Sequence, residues 1–91
     1  MKLSMFAVYD EVAKIFKYMF FRNRTGEAIR YFADSCSDQK TELHLHPSDF
    51  SLFRLGELDI ESGFFISLDI PERVARASDY SEVSNERVVN Q

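Results

Sequence analysis

The spacing of apolar residues at the start of the chain predicts an antiparallel β-hairpin. Residues 2–9 alternate in the manner of a strand, and residues 15–21 form a second apolar run. This run is short and rich in aromatic residues, which favours a strand over a helix, with a helical turn at residues 11–17 as the alternative. Alternate positions of the second strand point to opposite sides, with Phe16, Tyr18 and Phe20 on one and Ile15, Met19 and Phe21 on the other.

A helix is predicted to start near Gly26. Asn23 or Thr25 can cap its N-terminus, and Glu27 lies favourably in its first turn. The helix is expected to end within residues 35–40. Its apolar positions recur at helical spacing and form one stripe, which consists of Ala28, Ile29, Phe32, Ala33 and Cys36.

The region after the helix predicts a third strand and a turn. Residues 41–46 are expected to form a short extended piece before Pro47, and residues 50–58 to form the strand. Residues 59–63 have turn chemistry, because they combine Asp, Ser and Gly. Within this turn Gly63 can adopt a positive φ without steric cost.

Residues 64–70 alternate between apolar and polar side chains, which predicts a fourth, half-buried strand that ends before Pro71. The element order strand, strand, helix, strand, strand predicts an α+β fold with a four-stranded, mainly antiparallel sheet and one helix on one face. This α+β domain is expected to cover residues 1–70. Residues 71–91 contain few large apolar groups, so a flexible acidic C-terminal tail is expected, with a short helix at residues 72–77 as the alternative.

The predicted sheet has more aromatic surface than one helix can cover. The chain contains nine Phe and four Tyr, whereas a helix of about eleven residues is only about 16 Å long. The opposite face is then solvated, paired with another subunit, or used to bind a ligand. Exposed apolar patches usually mark association, so a homo-oligomer (a dimer or larger) is expected, with a nucleic-acid platform and simple core packing as the alternatives.

Charge is distributed unevenly along the 91 residues. Residues 1–30 hold six Lys and Arg against three Asp and Glu (+3), and residues 31–91 hold five against twelve (−7), which gives the net charge of −4. A polyanion contact is therefore expected near the N-terminal hairpin, with an ordinary solvated surface as the alternative. Proteins that bind single-stranded DNA stack bases on aromatic rings beside a basic track. The candidate residues for this role are Lys14, Lys17, Tyr18, Arg22, Arg24 and Arg30.

No catalytic constellation is present in the sequence, and no enzyme activity is expected. Cys36 is the single cysteine, which excludes an intrachain disulfide, and its place in the apolar stripe predicts a buried, inert thiol. His44 and His46, together with Glu42, have the spacing to hold a divalent metal on one side of an extended segment. The expected interpretation is that the two histidines lie on the surface and bind no metal. Three scattered glycines form no phosphate-binding loop. Neither a metal nor a cofactor is therefore expected from the histidines or the glycines.

The hydrophobic pattern indicates no membrane segment. No run approaches the roughly 18 consecutive apolar residues that span a bilayer. The apolar stretch after Lys2 is interrupted by Ser4 and ended by Asp10, and no small-residue cleavage site follows it, so it reads as a strand and not as a signal peptide. No membrane partner is expected, and the protein is expected to be intracellular.

Several segments match one known family in order and spacing. They are Met1-Lys2-Leu3 leading to Val8-Tyr9-Asp10, then Phe20-Phe21, then Ala28-Ile29-Arg30-x-Phe32 with Cys36. The longest is His46-Pro47-Ser48-Asp49-Phe50-Ser51-Leu52-Phe53-Arg54-Leu55-Gly56, continued by Asp59 and Ser62-Gly63. On these residues the chain resembles the small nonstructural protein of gokushovirus-type microviruses, which are phages with circular single-stranded DNA genomes. It departs from the pattern at Met19, where family members often carry proline.

The resemblance implies a nonstructural or DNA-binding role when a phage turns from duplex replication to making and packaging single strands. The expected function is that of a non-enzymatic accessory protein that binds single-stranded DNA in the host cytoplasm. The alternative is a protein-interaction or self-association module that contacts the replication initiator or the assembling capsid without binding DNA. No functional residue is carried over, because the matched positions are mostly structural in type.

Overall fold

The computed structural model describes residues 1–80 and confirms the predicted α+β fold. Its sheet has four strands in the order β2-β1-β3-β4, and every neighbouring pair is antiparallel. The strands are β1 (Lys2–Asp10), β2 (Ile15–Arg22), β3 (Phe50–Asp59) and β4 (Phe65–Arg76), and the helices are α1 (Thr25–Ser37) and the short α2 (Glu42–Leu45). A 3-10 turn at Pro47–Asp49 leads into β3, and residues 77–80 are helical.

The helix α1 packs on one face of the sheet. Its predicted apolar stripe buries Ala28, Phe32 and Cys36. Because these residues recur every fourth position, they lie on one side of the helix and meet the sheet together. The strand residues that complete this core are Phe6, Val8, Phe50 and Leu52.

The start of α1 differs by one residue from the prediction. Arg24 holds the cap position that the sequence assigned to Asn23 or Thr25. The Arg24 backbone N–H donates a hydrogen bond to Glu27 Oε1 at 3.2 Å, so Glu27 closes the first turn as its position suggested.

Residues 41–46 are helical over most of their length, and the prediction of an extended piece was wrong. Thr41 is the N-cap of α2, and its Oγ1 accepts a hydrogen bond from the His44 backbone N–H at 3.2 Å. The same hydroxyl donates to the Ser35 carbonyl at 2.6 Å. One threonine therefore joins the end of α1 to the start of α2, a capping role that the sequence pattern alone did not reveal.

Strand β4 continues to Arg76, beyond the end that was predicted at residue 70. Pro71 lies in a bulge on this edge strand, where a missing N–H breaks no ladder hydrogen bond. Residues 72–76 belong to the strand, so the alternative of a short helix at residues 72–77 was also wrong. The part of the expected acidic tail formed by residues 81–91 lies outside the described residues.

A β-bulge in β2 reverses the faces of its aromatic residues. Lys17 pairs with Val8, and Phe20 pairs with Phe6, so two residues of β2 lie opposite one residue of β1. The first of these two, Tyr18, has a φ of 57°. Phe16 and Phe20 therefore point to opposite faces of the sheet, and the prediction that they share a face was wrong.

The β3–β4 hairpin extends beyond the rest of the sheet. We call residues 57–67 the finger. Leu58 pairs with Leu3, beyond Ser4, where the pairing of β2 with β1 ends. Every residue from 60 to 67 is exposed. The turn of the finger has Gly63 at a φ of 82°, the positive value that its sequence predicted.

Candidate nucleic-acid interface

Lys17, a central residue of the predicted basic track, is paired with two carboxylates. Its Nζ lies 3.1 Å from Asp10 Oδ2 and 2.8 Å from Glu42 Oε2. Hydrogen bonding to Glu42 and then to Asp10 raises the pKa of Lys17, and Lys17 in turn lowers the pKa of Glu42. Lys17 therefore joins β2 to α2. Because two carboxylates offset its charge, it is poorly suited to bind a phosphate.

Tyr18 and Lys14 both have left-handed backbone conformations, with φ of 57° and 62°. The Tyr18 side chain is 54% exposed, and its hydroxyl donates a hydrogen bond to Glu42, which raises the pKa of Tyr18. Lys14 lies in the β1–β2 turn, where its Nζ is 3.9 Å from a Glu11 carboxylate oxygen. Both groups of this second pair are exposed, so the pair contributes little to stability.

The three arginines of the predicted track lie near the end of β2 and along α1. The guanidinium of Arg22 lies over the rings of Phe20 and Tyr31, at 5.1 and 4.8 Å from their centroids. Arg24 precedes α1, and Arg30 is exposed on it. The structure thus brings Arg22 against aromatic rings and leaves Arg24 and Arg30 on the surface, away from the Lys17 ion pairs.

A second aromatic cluster lies on the face of the sheet opposite α1, which we call the open face. Tyr9, Phe16 and Phe53 come from β1, β2 and β3, with ring centroids 4.7 to 5.9 Å apart and tilted or edge-to-face contacts. Ala7, which pairs with Phe53, is fully buried, while each of the three rings is half-buried. The open face therefore presents a preformed aromatic surface to solvent.

The charge on the paired positions of the open face is of one sign, whereas the alternation of β4 places the unpaired Asp69 on the same side as Ser67 and Arg73. Cross-strand partners share a face, and the pairing of β3 with β4 places Arg73 beside Phe53 and Arg76 beside Ser51. The open-face pairs of the described strands contain no Asp or Glu. Neither arginine takes part in an ion pair within residues 1–80. Among the described residues, two guanidinium groups without a carboxylate partner thus flank the aromatic cluster.

Sequence reasoning missed this grouping for identifiable reasons. Arg73 and Arg76 were assigned to the tail, because Pro71 was expected to end the last strand. Phe53 was not distinguished from the neighbouring core residues of β3. The period of two along the strand places its side chain on the other face of the sheet from that of Leu52. That alternation is the signal that could have found the site.

A comparison with family models identifies the family of the chain. The model described as Phage ORF5 protein matches residues 3–80. The chain belongs to the Phage ORF5 protein family. No curated protein and no solved structure matches it. The family match includes β4 beyond Pro71, so Arg73 and Arg76 lie in the part of the chain that the family model covers.

Cys36 and His44 of this Phage ORF5 family member have structural roles in the packing around α1. Burial raises the pKa of the Cys36 thiol to about 12. His44 Nδ1 lies 2.9 Å from the Cys36 carbonyl oxygen, which fixes the ring against the end of α1. Within residues 1–80, no three His, Cys, Asp or Glu side chains are grouped so as to hold a metal. The helices of the same region include none that is long and apolar enough to cross a membrane.

Proposed function

We propose that this phage protein binds single-stranded DNA on the open face of its sheet, without catalysing a reaction. The observation that carries the proposal is the cluster of Tyr9, Phe16 and Phe53 beside Arg73 and Arg76. Aromatic rings stack on bases of any sequence, and guanidinium groups bind phosphates in a bidentate manner. This combination suits a ligand that is unpaired and negatively charged along its whole length.

The placement of the rings supports the same function. Tyr9 and Phe53 lie on the two central strands of a four-stranded antiparallel sheet whose opposite face is covered by a helix. Several single-strand binders use this arrangement, with aromatic residues on central strands of the sheet stacking two or three bases. The edge-to-face contacts hold the rings in place before binding, so little side-chain entropy is lost when a base stacks on them.

The proposed role in the phage follows from the family and from the resemblance to microvirus nonstructural proteins. A protein that covers newly made single strands prevents their conversion back into duplex. We infer that it helps to commit the genome to single-strand synthesis or packaging in the host cytoplasm. Its net charge of −4 is compatible with this role, because Arg73 and Arg76 place two positive charges beside the aromatic cluster.

Fluorescence anisotropy with an unstructured oligothymidylate tests the binding. Affinity should fall steeply between about 50 and 200 mM salt, because phosphate contacts release counterions. Arg73→Gln and Arg76→Gln should each flatten the plot of log affinity against log salt by about 0.7 to 1. Arg30→Gln, the same change on the exposed side of α1, should leave the slope unchanged.

The aromatic contribution is tested with ring-to-leucine variants, which keep an apolar cover over Ala7. Phe16→Leu should weaken binding about 5- to 150-fold, the equivalent of about 1–3 kcal/mol for one stacked base. Tyr31→Leu, which removes an exposed ring on α1, is the control and should have no effect. Absence of binding at about 10 μM protein in low salt would contradict the whole proposal. A loss that follows Arg22→Gln and Arg24→Gln instead would move the site to the track predicted on β2.

A second candidate function is that of a protein-interaction module. The observation that favours it is the exposed apolar surface of β4 and its preceding turn, where Phe64, Ile66 and Ile70 are 74%, 64% and 78% exposed. Such a surface is typical of a contact site for another protein. Light scattering and pull-down from infected cells, each repeated with Phe64→Ser, test whether this surface binds a replication or capsid protein.

A further inference from the structure

A cleft of about 510 Å³ opens between β2, α1 and α2, on the side of the molecule that faces away from the open face. Most of its lining is apolar or aromatic, and the residues that form it include Tyr18, Met19, Phe20, Tyr31 and Leu43. Its size lies within the range of sites that enclose a ligand or a bulky side chain. Tyr18, Met19 and Tyr31 are each at least half exposed, so the apolar wall of the cleft is accessible from solvent.

The rim of the cleft is positively charged. Arg22 lies over the rings of Phe20 and Tyr31, and Lys40 lines the cleft directly. Neither has a carboxylate partner in the ion pairs of residues 1–80. Glu42 also lines the cleft and shares Lys17 with Asp10, so this cluster carries one net negative charge against the two positive charges of Arg22 and Lys40.

The finger has the complementary character. Phe64 is 74% exposed beside the turn, and Ile66 is 64% exposed two residues later. The turn carries Asp59 and Glu61, and hydrogen bonds from the Glu61 and Ser62 backbone N–H groups lower the pKa of Asp59. Glu61 forms an exposed ion pair with the Met1 ammonium group at 3.3 Å, whereas Asp59 has no ion-pair partner within residues 1–80. An apolar projection with acidic residues at its tip thus lies on the same molecule as an apolar cleft with basic residues at its rim.

We propose that the finger of one copy inserts Phe64 into the cleft of a second copy, so that the protein associates head to tail. The two contacting surfaces differ, which makes the contact heterologous and able to repeat from copy to copy. An aromatic anchor in a desolvated pocket is the usual centre of such contacts. The inference goes beyond the proposed function, because it requires no DNA.

A contact between two fingers is less favourable. It would bring the Asp59 carboxylates of both copies together, and like charges oppose one another, whereas the charge of Glu61 is already offset by the Met1 ammonium group. Pairing of two β4 edges is also disfavoured, because Pro71 and the bulge between Ser67 and Glu72 interrupt the edge. The cleft of another copy offers both an apolar wall and opposite charge.

Analytical ultracentrifugation of the full chain without DNA tests the proposal. A contact with one main anchor is small, so the series should cover about 10 to 500 μM protein. The natural chain should form species larger than a dimer as concentration rises. Phe64→Ser removes the anchor and Met19→Glu places a negative charge in the cleft, and each variant alone should stay monomeric.

Mixing the two variants gives the decisive result. The Phe64→Ser chain keeps its cleft and the Met19→Glu chain keeps its finger, so an equimolar mixture should form a one-to-one dimer and nothing larger. Ile66→Ser should behave as Phe64→Ser does, and Ile70→Ser, an equally exposed change on β4 outside the finger, should associate normally. Circular dichroism confirms that each variant is folded.

Three results would overturn the proposal. The first is a natural chain that remains monomeric over the whole concentration range. The second is self-association of Met19→Glu, which would indicate contact between two fingers. The third is a mixture that contains only monomers. Because the assay contains no DNA, failure here leaves the proposed DNA binding untouched, and failure of the anisotropy assay leaves this contact untouched.

Discussion

Lys17 Nζ lies 2.8 Å from Glu42 Oε2, so an ion pair joins the middle of β2 to the single turn of α2. Asp10 at the end of β1 approaches the same ammonium group at 3.1 Å. Asp10 also accepts hydrogen bonds from the Val12 and Ala13 backbone N–H groups at 2.9 and 3.1 Å, which organise the β1–β2 turn. A residue that the sequence pattern assigned to DNA therefore connects three elements of the fold.

Lys17→Met should lower the urea midpoint of unfolding. The substitution leaves two carboxylates, Asp10 and Glu42, without their shared cation, and Asp10 is only 7% exposed. Lys14→Met is the matched control, because its ion pair with Glu11 is long and exposed. Equilibrium urea denaturation followed by circular dichroism measures both. Equal midpoints for the two variants would show that the Lys17 contacts contribute no stability.

The same cluster predicts acid sensitivity. Backbone hydrogen bonds from Ala13, followed by Lys17, hold the pKa of Asp10 below its ordinary 3.8, and Lys17 holds that of Glu42 below 4.5. A carboxylate with a lowered folded-state pKa stabilises the fold above its unfolded pKa and loses that effect as pH falls through the folded value. Stability should therefore decrease below about pH 4, and Asp10→Asn should show a smaller decrease. Denaturation midpoints at about pH 3 and pH 7 measure the difference, with Glu11→Gln as the exposed control.

Two glycines give opposite expectations for the same substitution. A Cβ on Gly56 would lie 2.5 Å from the Ile66 carbonyl oxygen and 2.7 Å from Phe65 Cζ, so Gly56→Ala must displace β4. We expect a loss of about 1–3 kcal/mol in the free energy of unfolding. A Cβ on Gly26 in α1 would approach no neighbouring element within 4 Å, so Gly26→Ala should stabilise the helix by up to about 1 kcal/mol. Urea denaturation of both variants checks the two signs.

The core beneath α1 should be sensitive to loss of volume. Phe32 is 1% exposed and contacts the strands of the sheet, so Phe32→Ala should cost about 3–5 kcal/mol. A domain of this size has only about 5–15 kcal/mol of total stability, so the variant should be largely unfolded near its physiological temperature. Val12→Ala, at a position that is 74% exposed, should change stability by less than about 0.5 kcal/mol. Thermal melts distinguish the two.

Much of the fold was predictable because its elements carry strong local patterns. The stripe of Ala28, Phe32 and Cys36 predicted both α1 and the face that it buries. The alternation in residues 2–9 and 64–70 predicted the strands β1 and β4, and Gly63 predicted the hairpin turn. These signals depend on the period of the chain and on turn chemistry, which do not require knowledge of neighbours.

The missed features depend on tertiary context. The bulge at Tyr18 adds one residue opposite Ala7, and only the pairing of both strands reveals it. Pro71 is tolerated because β4 is an edge strand with a bulge at that point, a position that the sequence does not specify. Because the strand was predicted to end early, Arg73 and Arg76 were separated from the rings that they flank. The candidate site on the open face was therefore not predicted.

The burial of Cys36 has a practical consequence. Its side chain is 0% exposed beneath α1 and its thiol ionises only near pH 12, so an alkylating reagent reaches it only when the helix leaves the sheet. The rate of labelling under native conditions then measures how often the domain opens, with no engineered probe. Added DNA or a neighbouring copy that stabilises the closed form should slow the reaction in proportion to its occupancy.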